Sequence, residues 1–77
     1  MNGADRMIVT AHLKALYRGF NNNEVSVDYL RGCKGVLSAL GVTIEEHDDD
    51  RGKPVCLLVR FAGADGKVKM RWVELDD

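Results

Sequence analysis

The sequence predicts an α+β domain in which two N-terminal helices pack on a three-stranded antiparallel meander (ααβββ). In the first half of the chain, apolar residues recur every three or four positions, as in amphipathic helices. The second half is rich in β-branched residues and alternates apolar with basic side chains, as strands do. Asp65-Gly66 in that half is a hairpin turn signal. The chain has 77 residues, which suffices for a single domain, 1–77.

The first helix is predicted over about 5–18, where Val9, Leu13 and Leu16 recur at helical spacing. Gly19 is expected to end this helix in a left-handed conformation. Three consecutive asparagines follow and indicate a loop, because their side chains compete for local backbone hydrogen bonds.

The second helix is predicted over about 27–40, with Ser26 as its N-cap and Gly41 at its end. Gly32 and Gly35 lie inside it, and each costs about 1 kcal/mol relative to alanine. They give the helix a smooth flank that another backbone could approach closely. A break in the helix at these two glycines is the alternative.

Three strands are predicted, at about 42–47, 55–61 and 67–75. A two-residue turn at Asp65-Gly66 would place Phe61 opposite Met70. The sheet face that packs on the helices is then expected to carry Ile44, Val55, Leu57, Val59, Phe61, Val68, Met70 and Trp72.

The opposite sheet face is the predicted partner-binding surface, with one basic and one apolar half. Its residues are Cys56, Leu58, Arg60, Lys69, Arg71, Val73 and Leu75. An apolar patch rimmed by charge is typical of docking surfaces. The alternatives are that a helix covers this face, or that Glu45 and Glu74 neutralise the arginines.

An acidic segment follows the first predicted strand and contains Glu45, Asp48, Asp49 and Asp50. Clustered carboxylates can bind a hard cation, but this spacing lacks the alternating ligands of a calcium loop. We therefore expect no metal, and we interpret the segment as a solvated loop or as an acidic contact for a basic partner surface.

No arrangement of residues in the sequence suggests catalysis. There is no triad, nucleophile elbow or phosphate loop, and neither histidine has a zinc-like partner spacing. We expect a non-enzyme without a cofactor. The two cysteines form no CxxC pair, and no signal peptide or membrane span is evident, so a soluble cytoplasmic protein is expected.

Two segments resemble parts of nucleic-acid-binding families. Residues 31–35 and 41–44, Arg-Gly-Cys-Lys-Gly and Gly-Val-Thr-Ile, are similar to the GxxG loop and strand of KH domains, which clamp nucleic-acid backbone. Residues 37–61 resemble the last helix and wing of winged-helix proteins. The first likeness leaves only residues 36–40 for a helix, and the second puts three aspartates in a wing, where phosphate would repel them.

The leading functional hypothesis is a small non-catalytic interaction protein, of the regulator or inhibitor type, that binds a protein partner. Such chains are common among accessory proteins of mobile elements and phages. Nucleic-acid binding is the alternative, although the net charge of −1 does not favour it. A metal-dependent subunit that uses the acidic loop is the third. A homodimer is compatible with the first two, and the sequence identifies neither the partner nor the oligomeric state.

Overall fold

Two helices followed by a three-stranded antiparallel sheet make up residues 1–76, the part of the chain that the computed structural model describes. The helices are α1 (Gly3–Asn21) and α2 (Val27–Ala39). The strands are β1 (Val42–Asp48), β2 (Pro54–Ala62) and β3 (Val68–Glu74), in the order β1-β2-β3. The predicted α+β class and element order are confirmed. None of the described helices is both long and apolar enough to cross a membrane.

Helix α1 begins at a cap that the sequence analysis did not identify. The Asn2 side chain accepts a hydrogen bond of 2.8 Å from the Asp5 amide. The predicted end at Gly19 is wrong, because the helix continues beyond it and the left-handed residue is Asn23, with φ of 62°. Gly19 serves close packing instead: a methyl group there would lie 2.8 Å from the Val25 side chain.

Helix α2 is continuous, so the alternative of a break at its glycines is excluded. Ser26 caps it by accepting a 3.1 Å hydrogen bond from the Tyr29 amide, and Gly41 follows it with φ of 85°, as predicted. Apart from the adjacent residues and the nearby backbone of the helix itself, no atom of the described chain lies within 4 Å of a methyl group built on Gly32 or Gly35. The smooth flank is present, but no backbone approaches it. Since residues 31–35 lie inside α2, the KH-like loop is also absent.

The hairpin between β2 and β3 has a three-residue loop, not the predicted two-residue turn. The Gly63 amide donates to the Lys67 carbonyl at 2.8 Å, which leaves residues 64–66 as the loop. The Gly66 amide donates to the Gly63 carbonyl at 3.1 Å, and Gly66 has φ of 80°. This is a type I turn followed by a left-handed glycine. The extra loop residue shifts the register, so Phe61 pairs with Lys69.

A one-residue shift moves every side chain of a strand to the other face of the sheet. The predicted faces of β3 are therefore wrong. Val73 and Leu75, expected outside, are each 4% exposed and lie in the core. Val68, Met70 and Trp72, expected inside, are 54%, 63% and 58% exposed.

The core lies between the helices and one face of the sheet. Its buried residues are Leu13, Tyr17, Leu30, Val42, Leu57, Val59, Phe61, Val73 and Leu75. The Tyr17 hydroxyl donates a hydrogen bond to the Glu46 carboxylate, which also accepts one of 3.1 Å from Lys34. The Tyr17 side chain is the largest in the core, and this hydrogen bond satisfies its hydroxyl. A buried hydroxyl without a partner would be costly.

Candidate partner-binding surface

An exposed apolar patch occupies the sheet face that points away from the helices. We call it the outer patch and define it as Leu58, Val68, Met70 and Trp72. The last three alternate along β3, and Trp72 pairs with Leu58 on β2. Leu58 itself is 9% exposed, so the accessible part of the patch is the β3 row. Because both helices pack on the opposite face, no element of the described chain covers these side chains.

A row of polar side chains crosses the same face beside the patch. Arg60 Nη2 donates to Glu45 Oε1 at 3.4 Å, and His47 Nε2 lies 2.6 Å from Glu45 Oε2. The hydrogen bond with His47, followed by the one from Arg60, lowers the pKa of the Glu45 carboxyl. Glu45 is thus held as a carboxylate between two partners, which balances the charge beside the patch.

The aromatic rings of His47 and Trp72 connect this row to the patch. Their centroids are 5.1 Å apart, and the ring planes are inclined at 59°. Since β1 and β3 flank β2, this contact passes over the middle strand, above Cys56 and Leu58. The contact restrains the indole of Trp72 on the surface.

Cys56 lies under this contact and is only partly exposed. Burial raises the pKa of the Cys56 thiol, and the carboxylates of Glu74 and Asp76 raise it further. The thiolate is the nucleophilic form of cysteine. A raised pKa therefore disfavours Cys56 as a nucleophile and leaves it as a small apolar side chain.

The predicted partner-binding residues divide between the two faces. Cys56, Leu58 and Arg60 lie on the outer face, as predicted, whereas Val73 and Leu75 are in the core and inaccessible to a partner. Lys69 and Arg71 also lie on the helix-facing side of β3 but are exposed. The predicted cluster of Arg60 with these two residues does not form on one face.

The residues of the acidic segment have different structural roles. Asp49 Oδ1 accepts hydrogen bonds from the Lys53 and Arg51 amides at 3.0 and 2.9 Å. These bonds, that from Lys53 first, lower the pKa of the Asp49 carboxyl and hold the β1–β2 loop in shape. Glu45 belongs to the row beside the patch, and Asp48 ends β1. Asp50 is exposed at the tip of the loop.

Metal binding finds no further support in the acidic segment. Within residues 1–76, no group of three or more histidine, cysteine, aspartate or glutamate side chains is arranged to hold a metal ion.

A second apolar surface, which the sequence analysis did not predict, is a groove between α1 and α2. Its lining residues are Val9, His12, Leu13, Leu16, Tyr29, Gly32, Cys33, Val36 and Leu37. Both helices pack more extensively on the sheet than on each other, and Gly32 adds no side chain to fill the groove. Tyr29 and Val36 on its rim are 62% and 64% exposed. This helix groove is the main rival to the outer patch as a contact surface.

The β3 residues of the outer patch were missed for one reason, the length of the hairpin loop. A signal was present in Gly63, which starts the turn that Gly66 ends. A methyl group on Gly63 would lie 2.8 Å from the Lys67 carbonyl oxygen, so this position needs glycine. Glycine at the fourth position of a turn is typical of type I turns, so Gly66 fits this longer loop as well as the two-residue one.

Comparison of the chain with protein-family models, with curated proteins and with solved structures finds no match in any of the three.

Proposed function

We propose that this protein is a small non-catalytic interaction protein that binds a protein partner through the outer patch. The single observation that carries the proposal is the exposed row of Val68, Met70 and Trp72 on a sheet face that no other element within residues 1–76 covers. Single exposed apolar residues are ordinary, whereas contiguous exposed apolar patches mark interaction sites. Both residue types are enriched at the centres of protein interfaces.

The charges around the patch favour protein over nucleic acid as the partner. On the outer face, Arg60 is paired with Glu45, and Glu74 lies on the same side of β3 as Trp72. Lys69 and Arg71, which form no ion pair within residues 1–76, lie on the other side of β3. Single-stranded nucleic acid needs aromatic stacking and phosphate contacts along one groove. Here Trp72 and these two basic side chains lie on opposite faces of the sheet.

The structure brings together a hydrophobic anchor and a polar rim, which is the anatomy of a protein interface. Removal of a central anchor typically costs at least about 2 kcal/mol of binding free energy, or roughly thirtyfold in Kd. Trp72 is therefore the residue whose replacement should have the largest effect.

The test is affinity capture from an extract of the source organism with three forms of the chain. The wild type and a Val36→Glu variant should retain the same protein, and a Trp72→Glu variant should lose it. Val36 is a matched control because it is an apolar side chain of similar exposure in the helix groove. Loss with Val36→Glu and retention with Trp72→Glu would assign the function to the helix groove instead. Retention by all three forms would contradict both assignments.

Nucleic-acid binding is tested on the same samples with labelled mixed-sequence single- and double-stranded DNA at two salt concentrations. We expect no binding tighter than the non-specific range of roughly 10⁻⁴ to 10⁻⁶ M. Tight binding that weakens steeply with salt and is lost in a Lys69→Glu, Arg71→Glu double variant would overturn the proposal in favour of a phosphate surface.

A further inference from the structure

Strand β3 is an edge strand with one row of backbone groups directed away from the sheet. The bonds from the Gly63 amide to the Lys67 carbonyl, at 2.8 Å, and from the Leu75 amide to the Val55 carbonyl, at 3.0 Å, belong to the ladder with β2. Antiparallel ladders bond alternate residues, so Lys69, Arg71 and Val73 direct their backbone groups toward β2. The remaining residues of β3 direct theirs outward: Val68, Met70, Trp72 and Glu74.

These outward groups have no backbone partner among the described residues. Within residues 1–76, no strand other than β2 pairs with β3. No backbone hydrogen bond of the loops, turns or caps involves any of the four residues. Unpaired N–H and C=O groups along an edge are a template for another strand.

The two sides of this edge have different chemistry. Val68, Met70 and Trp72 form an apolar row on the outer side, more than half exposed throughout. Lys69 and Arg71 are exposed on the other side, with Lys67 just before the strand. An added strand would place alternate side chains beside these two rows. Apolar side chains suit the outer side and carboxylates suit the basic side, since opposite charges across a strand pair are favourable and like charges are not.

A second copy of β3 does not place apolar side chains beside the outer row and carboxylates beside Lys69 and Arg71. Antiparallel pairing of two β3 strands about Met70 would place Lys69 opposite Arg71, and pairing about Arg71 would place two Arg71 side chains opposite each other. Pairing about Trp72 would oppose Met70 to Glu74. Each register sets like charges, or an apolar and a charged side chain, face to face. Basic side chains on an edge are also a common protection against self-pairing.

From the open edge and its basic side, we propose that β3 accepts an extended segment of a partner protein, with alternating acidic and apolar residues, as a fourth strand. This inference rests on the proposed function and gives the partner its chemistry. The backbone of the segment bonds to Val68, Met70 and Trp72, its apolar side chains extend the outer patch, and its carboxylates face Lys69 and Arg71. Such β-strand addition derives affinity from the main chain and specificity from alternate side chains.

The probe is a capped synthetic peptide of 7 residues, the length of β3, that alternates glutamate and valine. A peptide that alternates lysine and valine tests charge. A glutamate–valine peptide with N-methyl groups on its valine amides tests the backbone bonds, because in an antiparallel pair those amides bond to Val68, Met70 and Trp72. Its other edge remains free, but pairing along that edge would place glutamates on the apolar side. Binding is followed by fluorescence of Trp72, the single tryptophan of the chain, and by amide hydrogen exchange.

We expect the glutamate–valine peptide to bind and the lysine–valine peptide to bind roughly tenfold more weakly, since two charge pairs of up to about 1 kcal/mol each change sign. The N-methylated peptide should also bind roughly tenfold more weakly, because it loses the backbone hydrogen bonds to β3. Binding should slow hydrogen exchange at the Met70 and Trp72 amides more than at the Lys69 and Arg71 amides, which already bond to β2. In a Lys69→Glu, Arg71→Glu double variant, the preference should switch to the lysine–valine peptide.

Three results would overturn the inference: equal binding of the N-methylated peptide, a preference that the double variant leaves unchanged, or binding of none of the three peptides. The proposed function is judged separately, by the capture experiment with Trp72→Glu. If the captured partner depends on Trp72 while the peptides do not bind, the outer patch stands and the strand addition fails. If the peptides bind at β3 but capture is unaffected by Trp72→Glu, the strand addition stands and the assignment of the captured partner to the outer patch fails.

Discussion

Gly19 and Gly32 both lie inside helices, yet the space around them differs. A methyl group on Gly19 would lie 2.8 Å from Val25 Cγ2, whereas one on Gly32 would have no described atom within 4 Å apart from the adjacent residues and the nearby helix backbone. Val25 is β-branched and has little freedom to turn away. We predict that Gly32→Ala raises the free energy of unfolding by about 0.5–1 kcal/mol, through helix propensity. Gly19→Ala should be at least about 1 kcal/mol less stable than Gly32→Ala, because it overpacks the contact.

Urea unfolding of the two glycine variants beside the wild type provides the measurement. Equal stability of Gly19→Ala and Gly32→Ala would show that the loop after α1 does not press against Gly19.

The Glu46 carboxylate accepts hydrogen bonds from Tyr17 in the core and from Lys34 near the surface. Burial raises the pKa of its carboxyl, but the hydrogen bonds from Tyr17 and Lys34 lower it more, so the net pKa lies below the ordinary 4.5. A lowered pKa in the folded state stabilises the fold above pH 4.5 and ceases to do so as the pH falls through the folded-state pKa. We predict that Glu46→Gln is less stable than the wild type at pH 7 and that the difference shrinks toward pH 3.

Denaturant midpoints at the two pH values measure this dependence. Glu24→Gln, which changes an exposed carboxylate in the loop after α1, is the control and should follow the wild type at both values. A Glu46→Gln deficit that stays constant with pH would mean that the carboxylate is not the stabilising form.

At the scale of elements, the β2–β3 loop decides which residues of β3 are accessible. Gly66 has φ of 80°, a conformation that costs roughly 1 kcal/mol for a residue with a Cβ atom, and asparagine tolerates it better than alanine does. We predict that Gly66→Ala lowers stability by about 1 kcal/mol and that Gly66→Asn lowers it less. Thermal unfolding of both variants tests this. Equal losses, or none, would contradict the left-handed turn and with it the observed register.

The two sides of β3 should also respond differently to truncation. Val73 is 4% exposed and Val68 is 54% exposed. Val73→Ala removes buried methyl groups and should lower the free energy of unfolding by about 1–3 kcal/mol, whereas Val68→Ala should change it by less than about 0.5 kcal/mol. Because both variants replace valine with alanine on the same strand, Val68→Ala is the control for Val73→Ala. A larger loss from Val68→Ala would restore the register that a two-residue turn predicts.

The elements differed in how far local sequence determined them. Ser26 and Gly41 bounded α2 correctly because capping depends on neighbours in sequence. The end of α1 was misjudged because Gly19 responds to Val25, a tertiary contact. The faces of β3 were misjudged because alternation shows which residues share a face but not which face is buried, and the assumed two-residue turn then selected the wrong face. Leu58 and Arg60 on the middle strand were placed correctly, because Arg60 is the one charged residue of β2 and lies on the same face as Leu58.

For the whole molecule, the notable feature is that both layers carry apolar side chains on their outer surfaces. The helix groove exposes Tyr29 and Val36, and the sheet exposes Met70 and Trp72. The core between the layers involves only one face of each. The sheet surface is the better candidate for a specific contact because it combines a fixed aromatic ring, a charge-balanced rim and an open strand edge. The groove offers apolar area without comparable polar features.

The central claim is that Trp72 stands on the surface as the anchor of the outer patch, and quenching of its fluorescence by acrylamide tests this most directly. Trp72 is the single tryptophan, so the signal comes from that side chain alone. A dilution series distinguishes an exposed ring from one hidden by self-association. We predict quenching close to that of a solvated indole in the dilute protein, and partial protection once the partner or the glutamate–valine peptide binds. Weak quenching at every dilution would place Trp72 in the core and remove the surface on which both proposals depend.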